Sequence, residues 1–181
     1  MGSLRSLRRR QVEPINTPKP SDEELVKTVR FGTIKQVKTL LERGANPNAL
    51  DQDSTPAIHF AVYFGKLGMT RILVKYGADV NLKDRNQDAA LDNAIYSYRW
   101  TRAERVALFL LDNGVDVNSV GKHGRTTLMH AISHKRFDLA RLLVGRGADT
   151  KRRNRDWKRA VDLIGHGKGS KALRKMLKKI P

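Results

Sequence analysis

A short motif recurs along this chain: Gly44-Ala45-Asn46-Pro47-Asn48, Gly77-Ala78-Asp79-Val80-Asn81, Gly114-Val115-Asp116-Val117-Asn118 and Gly147-Ala148-Asp149-Thr150, with the glycines 33, 37 and 33 residues apart. Each glycine follows an apolar segment of helical period: Val37, Leu40 and Leu41; Ile72, Leu73 and Val74; Phe109, Leu110 and Leu111; Leu142, Leu143 and Val144. That context predicts a helix C-cap, where glycine takes the left-handed conformation that other residues resist. A small residue stands at a near-constant distance before three of these glycines, at Thr28, Ala61 and Ala131, with Ala94 twenty before Gly114. Small side chains there let neighbouring helices approach closely. A unit of helix, turn, helix and polar loop cannot bury its apolar faces alone and must stack on its neighbours. The repeat therefore predicts an all-α solenoid.

The residues inside the repeat resemble the ankyrin-repeat family. Ala61-Val-Tyr-Phe-Gly65-Lys-Leu, continuing to Arg71-Ile-Leu-Val-Lys-Tyr-Gly77-Ala-Asp-Val-Asn81, is similar to its pattern position by position, and so is Gly124-Arg-Thr-Thr-Leu128 through Gly147-Ala-Asp149. The helix-opening motif is irregular around Thr55, Pro56, Ile58 and His59, and repeat three replaces it with Ala89-Ala90-Leu91-Asp92. The resemblance implies an ankyrin-repeat solenoid of about five helix-turn-helix units, at residues 21–52, 53–85, 86–122, 123–155 and 156–181, behind a basic, Pro-containing extended arm at residues 1–20. Ser21 is placed to cap the first helix. Ala160 to Ile164 opens the last unit, and Ser170 to Lys179 forms its second helix with Leu173, Met176 and Leu177 inward and Lys171, Arg174, Lys175 and Lys178 outward. The resemblance also implies that His59 bonds to adjacent loops, and that the protein works by binding other proteins.

The formal net charge is +18 and sits at the ends: residues 1–20 hold five basic and one acidic residue, residues 151–181 twelve and two. Such an arrangement points to an anionic partner, whether nucleic acid, an acidic protein or a lipid headgroup, with improved solubility as the plainer alternative. The chain has no Cys, so disulfides and thiolate chemistry are excluded within it and an intracellular setting is expected. Its longest apolar run, Val106 to Leu111, is six residues, far short of a membrane span. The cytoplasm is the first expectation for its location, with the mitochondrion and nucleus as alternatives.

Three places carry candidate contacts. Repeat three has four extra residues between its helices, filled by Ile95-Tyr-Ser-Tyr-Arg-Trp-Thr-Arg102, so Tyr98, Arg99, Trp100 and Arg102 form a candidate partner-binding knob. The alternative folds Tyr96 and Trp100 back onto neighbouring helices. Lys151, Arg152, Arg153, Arg155, Lys158 and Arg159 crowd one polar loop beside Trp157, a candidate anion clamp, and Arg174, Lys175 and Lys178 extend it. There the alternative is a solvated loop with Trp157 in the core. Arg8, Arg9 and Arg10 supply anion-binding charge at the other end, where three readings compete: N-myristoylation at Gly2 backed by a basic membrane signal, a mitochondrial targeting segment, or an arm laid along nucleic acid.

Chemistry finds little footing. His130 and His134 have metal-ligand spacing on a helix but lack the acid between them that a metalloprotease carries, and Gly165 to Ser170 lacks the spacing of a phosphate loop. No catalytic residue, metal, cofactor or small-molecule substrate is expected. The leading expectation is a non-enzymatic interaction module or scaffold subunit, binding a protein through its concave face and the repeat-three insert while its basic ends touch an anionic surface. A structural subunit of a large ribonucleoprotein, such as an organellar ribosome, and a myristoylated membrane adaptor are the alternatives.

Overall fold

A computed structural model of the chain describes residues 18–97, 100–166 and 169–179, with the side chains of residues 100, 101, 178 and 179 outside that description. Among the described residues the structure is helical without strands: α1 Asp22–Phe31, α2 Ile34–Glu42, α3 Ala57–Tyr63, α4 Leu67–Lys75, α5 Ala90–Tyr96, α6 Trp100–Asp112, α7 Thr127–Ser133, α8 Phe137–Gly145 and α9 Ser170–Lys179, with short 3-10 turns at Lys122–Gly124 and Ala160–Leu163. The helices form two layers. First helices stack on one another in the order α1, α3, α5, α7 and the Ala160–Leu163 turn, while α2, α4 and α6 form a second layer and α8 meets α9.

The first helices are too short to hold themselves together and survive by burial. Ala57, Ile58, Ala61 and Val62 of α3 are buried, as are Ala90, Leu91, Ala94 and Ile95 of α5 and Thr127, Leu128, Ala131 and Ile132 of α7. Alanine at the tightest positions lets successive backbones close up, and the branched residues beside them fill the space. Second helices bury a narrower stripe: Val37, Leu40 and Leu41 in α2, Leu139, Ala140 and Leu143 in α8, Leu173 and Leu177 in α9. Ser21 accepts a hydrogen bond from the Glu24 amide at 3.1 Å, the N-cap its position implied.

All four repeat glycines are left-handed, with φ of 86°, 92°, 81° and 88° at Gly44, Gly77, Gly114 and Gly147. The amide after each glycine turns back to a carbonyl five residues earlier, as Ala45 does to Leu40 at 3.0 Å and Ala148 to Leu143 at 3.0 Å. Conformation alone demands glycine here, because a Cβ at these positions would meet nothing within 4 Å.

Loops are fastened to one another by asparagines of the repeated motif. Asn48 Oδ1 accepts from the Asp79 amide, Asn81 Oδ1 from the Asp116 amide and Asn118 Oδ1 from the Asp149 amide, each at 2.7 Å. Cations close the other edge across units. Lys66 Nζ donates to the Val29 and Arg30 carbonyls at 3.0 and 2.7 Å, and Arg136 donates to the Ile95 and Ser97 carbonyls at 3.3 and 3.1 Å, in each case satisfying carbonyls at the end of the preceding first helix.

Four extra residues make about one helical turn, so the sequence allows either longer helices or a bulging loop in repeat three, and the structure has the longer helix. The last unit departs from its expected opening helix. The four extra residues of repeat three lengthen α6 to 13 residues against nine in α2, α4 and α8, while the connection from the first helix keeps the three residues it has in the units of α3 and α7. The surplus is thus one helical turn at the start of α6. The last unit replaces its first helix by the single 3-10 turn, since only Ala160 to Ile164 separates the basic loop from Gly165.

Candidate interaction surface

The basic loop is organised by one side chain. Asn154 is buried, and its Oδ1 accepts from the Asp156 amide at 3.0 Å and the Lys158 amide at 2.9 Å, while its backbone amide donates to the Lys158 carbonyl at 3.0 Å. Asp51 and Asp84 build the same turn in earlier units, with Asp51 Oδ1 accepting from Asp53 and Thr55 and Asp84 Oδ1 from Asn86 and Asp88. Each such turn forces one residue left-handed: Ser54 at φ 60°, Gln87 at 65° and Trp157 at 60°. A large aromatic is an unusual occupant of that conformation. Trp157 is also 76% exposed. It is not packed into the core, which removes the alternative reading of that residue.

Around this tryptophan Lys151, Arg152, Arg153, Arg155 and Lys158 are exposed. Arg153 donates to the Trp157 carbonyl at 2.6 Å and so braces the turn. Arg159 departs from the expected clamp: it is half-buried and paired with Asp162, Nε to Oδ2 3.2 Å, and that pairing holds the Asp162 carboxyl below its ordinary range. Arg174 also departs from an outward placement, donating to the Ile164 carbonyl at 2.6 Å, whereas Lys171 and Lys175 are exposed. Lys178 lies on α9, but its side chain falls outside the described residues, as do Gly2, Arg8, Arg9 and Arg10 altogether.

The repeat-three knob is described only in part, since Tyr98 and Arg99 lie outside the described residues and Trp100 is placed as the first residue of α6 without its side chain. Arg102 is exposed on the extra turn, with its Cβ over Gly65. Tyr96 does fold back: its ring meets His134 edge-on at 5.1 Å and its hydroxyl lies 3.4 Å from His130 Nδ1.

One patch escaped the sequence reading. On the first-helix layer Arg30 lies 5.2 Å over the ring of Phe31 and 4.6 Å over that of Phe60, and Tyr63 meets Phe64 edge-on at 5.2 Å. Phe31 is 73% exposed, and Arg30, His59, Phe60, Tyr63 and Phe64 line a cavity of about 250 Å³. The available signal was that Phe60, Tyr63 and Phe64 fall at i, i+3 and i+4 on a helix whose buried face Ala57, Ile58, Ala61 and Val62 already fill.

His59 ties the loop at the end of its own unit to the first helix of the next. Its Nε2 bonds the Leu82 carbonyl at 2.9 Å and its Nδ1 meets the Asn93 amide nitrogen at 3.1 Å. Burial holds its pKa below the ordinary value of 6.5, against the raising influence of the Leu82 bond and of Asp84 and Asp92. The folded protein thus binds a proton at His59 more weakly than the unfolded chain does. The stability linked to His59 is present above pH 6.5, falls as pH drops below that value, and stops falling once the folded imidazole itself titrates. Replacing His59 by Gln should make chemical denaturation midpoints less sensitive to acid between about pH 6.5 and 5 than those of the native chain. Parallel midpoint-against-pH curves would show that His59 is not the linked group.

A second polar cluster lies between repeats three and four, where Asp92 Oδ1 meets His130 Nδ1 at 3.3 Å. Burial, with help from Asp92, raises the Asp88 carboxyl above the ordinary carboxylate range, and burial with Asp88 and Asp92 pushes the Tyr96 phenol up to about 12.

Comparison with protein families agrees with this architecture. A family model described as ankyrin repeats, three copies, matches residues 25–120, and one described as ankyrin repeats, many copies, matches residues 110–164. A comparison with curated proteins found no match. Among the described residues no helix is long and apolar enough to cross a membrane.

Proposed function

The chain belongs to the ankyrin-repeat family, which marks it as a protein–protein interaction module, and from that premise we propose that its partner is an acidic protein segment held on the loop from Lys151 to Lys158 around Trp157. The observation that carries this reading is the 76% exposure of Trp157 at a left-handed position among cations. Exposed tryptophan and arginine are the residue types that dominate interface energetics, and a partner that covers the indole also desolvates the charge pairs around it. The patch of Arg30, Phe31, Phe60, Tyr63 and Phe64 gives the same partner a second, apolar anchor. The extra turn of α6 with Arg102 stands as a further contact. No step of this reading uses catalytic chemistry.

The same loop supports RNA as a second reading, because a base stacks on an indole as readily as a side chain does and arginines hold phosphates. Placing a photo-crosslinking residue at Lys158 in native cells separates the two. A protein adduct rich in Asp and Glu that survives RNase, and disappears when Lys151, Arg152 and Arg155 are changed to Gln, is the expected result. RNase-sensitive RNA adducts would make the chain a ribonucleoprotein subunit. Adducts no more frequent than from the same crosslinker at exposed Lys38 would remove both readings.

A further inference from the structure

Three side chains with metal-binding atoms converge where repeat three meets repeat four. Asp92 sits in the first turn of α5, with Oδ2 accepting from the Ala89 amide at 3.0 Å and Oδ1 facing His130 Nδ1 of α7 at 3.3 Å. Both residues are almost fully buried, at 1% and 6% exposure. Asp88, just before the helix, completes the group: one ligand atom from each of Asp88, Asp92 and His130 lies within 4.8 Å of the others.

Asp88 Oδ1 is buried and has no hydrogen-bond partner among the described residues. A buried carboxylate oxygen without a partner is expensive, and a second carboxylate beside it raises the cost. Nothing from the neighbouring loop fills the space: residue 121 is glycine, and a Cβ there would come within 2.7 Å of Asp88 Oδ1. His130 cannot resolve the charge alone, since one imidazole faces two carboxylates.

We propose that Asp88, Asp92 and His130 bind a divalent cation of the zinc class that staples α5 to α7. Imidazole with carboxylates is a donor set that zinc accepts, with ligand bonds of about 2.0–2.2 Å. Such bonds put tetrahedral donors roughly 3.4 Å apart, which the Asp92–His130 pair at 3.3 Å already satisfies, while Asp88, within 4.8 Å of both, has to close in on the ion. The cation's two charges match the two carboxylates and give Asp88 Oδ1 the partner it lacks. Three protein donors leave a fourth position to water. His134 is not among the three residues whose ligand atoms lie within 4.8 Å of one another.

The test is zinc titration of the untagged full chain, stripped with a chelator, against a competing chromophoric chelator, with metal content read by mass spectrometry. One equivalent should bind, with affinity falling at least tenfold in Asp88→Asn and again in His130→Gln, and zinc should raise the thermal midpoint of the native chain but not of Asp88→Asn. Asp88 is a loop residue, so its variant remains informative if His130→Gln fails to fold. Zinc affinity equal in the native chain and Asp88→Asn would place the bound ion on surface histidines and overturn the proposal. Absence of one-to-one binding would overturn it too, leaving a hydrogen-bonded cluster that specifies how repeats three and four pack.

Discussion

Replacing Gly65 by Ala is expected to destabilise the protein by about 2–5 kcal/mol, several times the effect of the same change at Gly77. Both glycines are left-handed, at φ 63° and 92°, so both variants carry the conformational cost of roughly 1 kcal/mol that alanine meets there. They differ in surroundings. A Cβ at Gly77 meets nothing within 4 Å, whereas one at Gly65 would lie 2.7 Å from Arg102 Cβ and 3.3 Å from the Ala103 amide nitrogen. Those atoms belong to a helix backbone and its first side-chain carbon and cannot swing aside, so the start of α6 must move. Ala103 is fully buried, and moving it disturbs packing against its neighbours. Urea denaturation of the two variants measures the contrast directly. Equal midpoints would mean that the extra turn of α6 does not press on the turn between α3 and α4.

Trp157→Gly should do the opposite, weakening partner binding by 2 kcal/mol or more, about thirtyfold, while leaving stability within about 1 kcal/mol of the native chain. Three contributions nearly cancel in the folded state. Glycine relieves a left-handed conformation that costs tryptophan about 1–2 kcal/mol, loses the contacts of an indole that is 76% exposed, and adds backbone entropy to the unfolded chain worth about 0.5–1 kcal/mol. The bond from Arg153 survives because it goes to the backbone carbonyl. Truncating a buried tryptophan would instead cost about 3–5 kcal/mol. A stability loss of that size would return Trp157 to a packing role, and unchanged binding would remove the loop from the interface.

Much of the scaffold was legible because its demands are local. A left-handed C-cap admits glycine almost alone, so Gly44, Gly77, Gly114 and Gly147 announce themselves without knowledge of any contact. The apolar stripe of α2, α4 and α8 follows from helical period in the same way. Where the surplus of repeat three would go was less accessible: spacing counts four residues, but only the stacking of helices decides that they join α6 instead of swelling the loop. Trp157 could be read either inward or outward until the Asn154 turn fixed its backbone. The sites assembled across units were invisible for a different reason. Asp92 and His130 are 38 residues apart and meet only because α5 lies on α7. A scan for local spacing therefore compares His130 with His134 and misses its real neighbours.

The asparagine rungs between loops have a direction. Asn48, Asn81 and Asn118 each grip the backbone of the following unit, and the next place in the series is Lys151, whose side chain offers no acceptor. The series stops at Asp149, and beyond it the basic loop is tied back by the Arg155 amide on the His123 carbonyl at 3.0 Å. The Trp157 loop is thus braced from its N-terminal side by Asn118 and His123. A partner seated on that loop, as proposed, would add bracing from outside, and the protein is expected to resist proteases longest when the loop is covered.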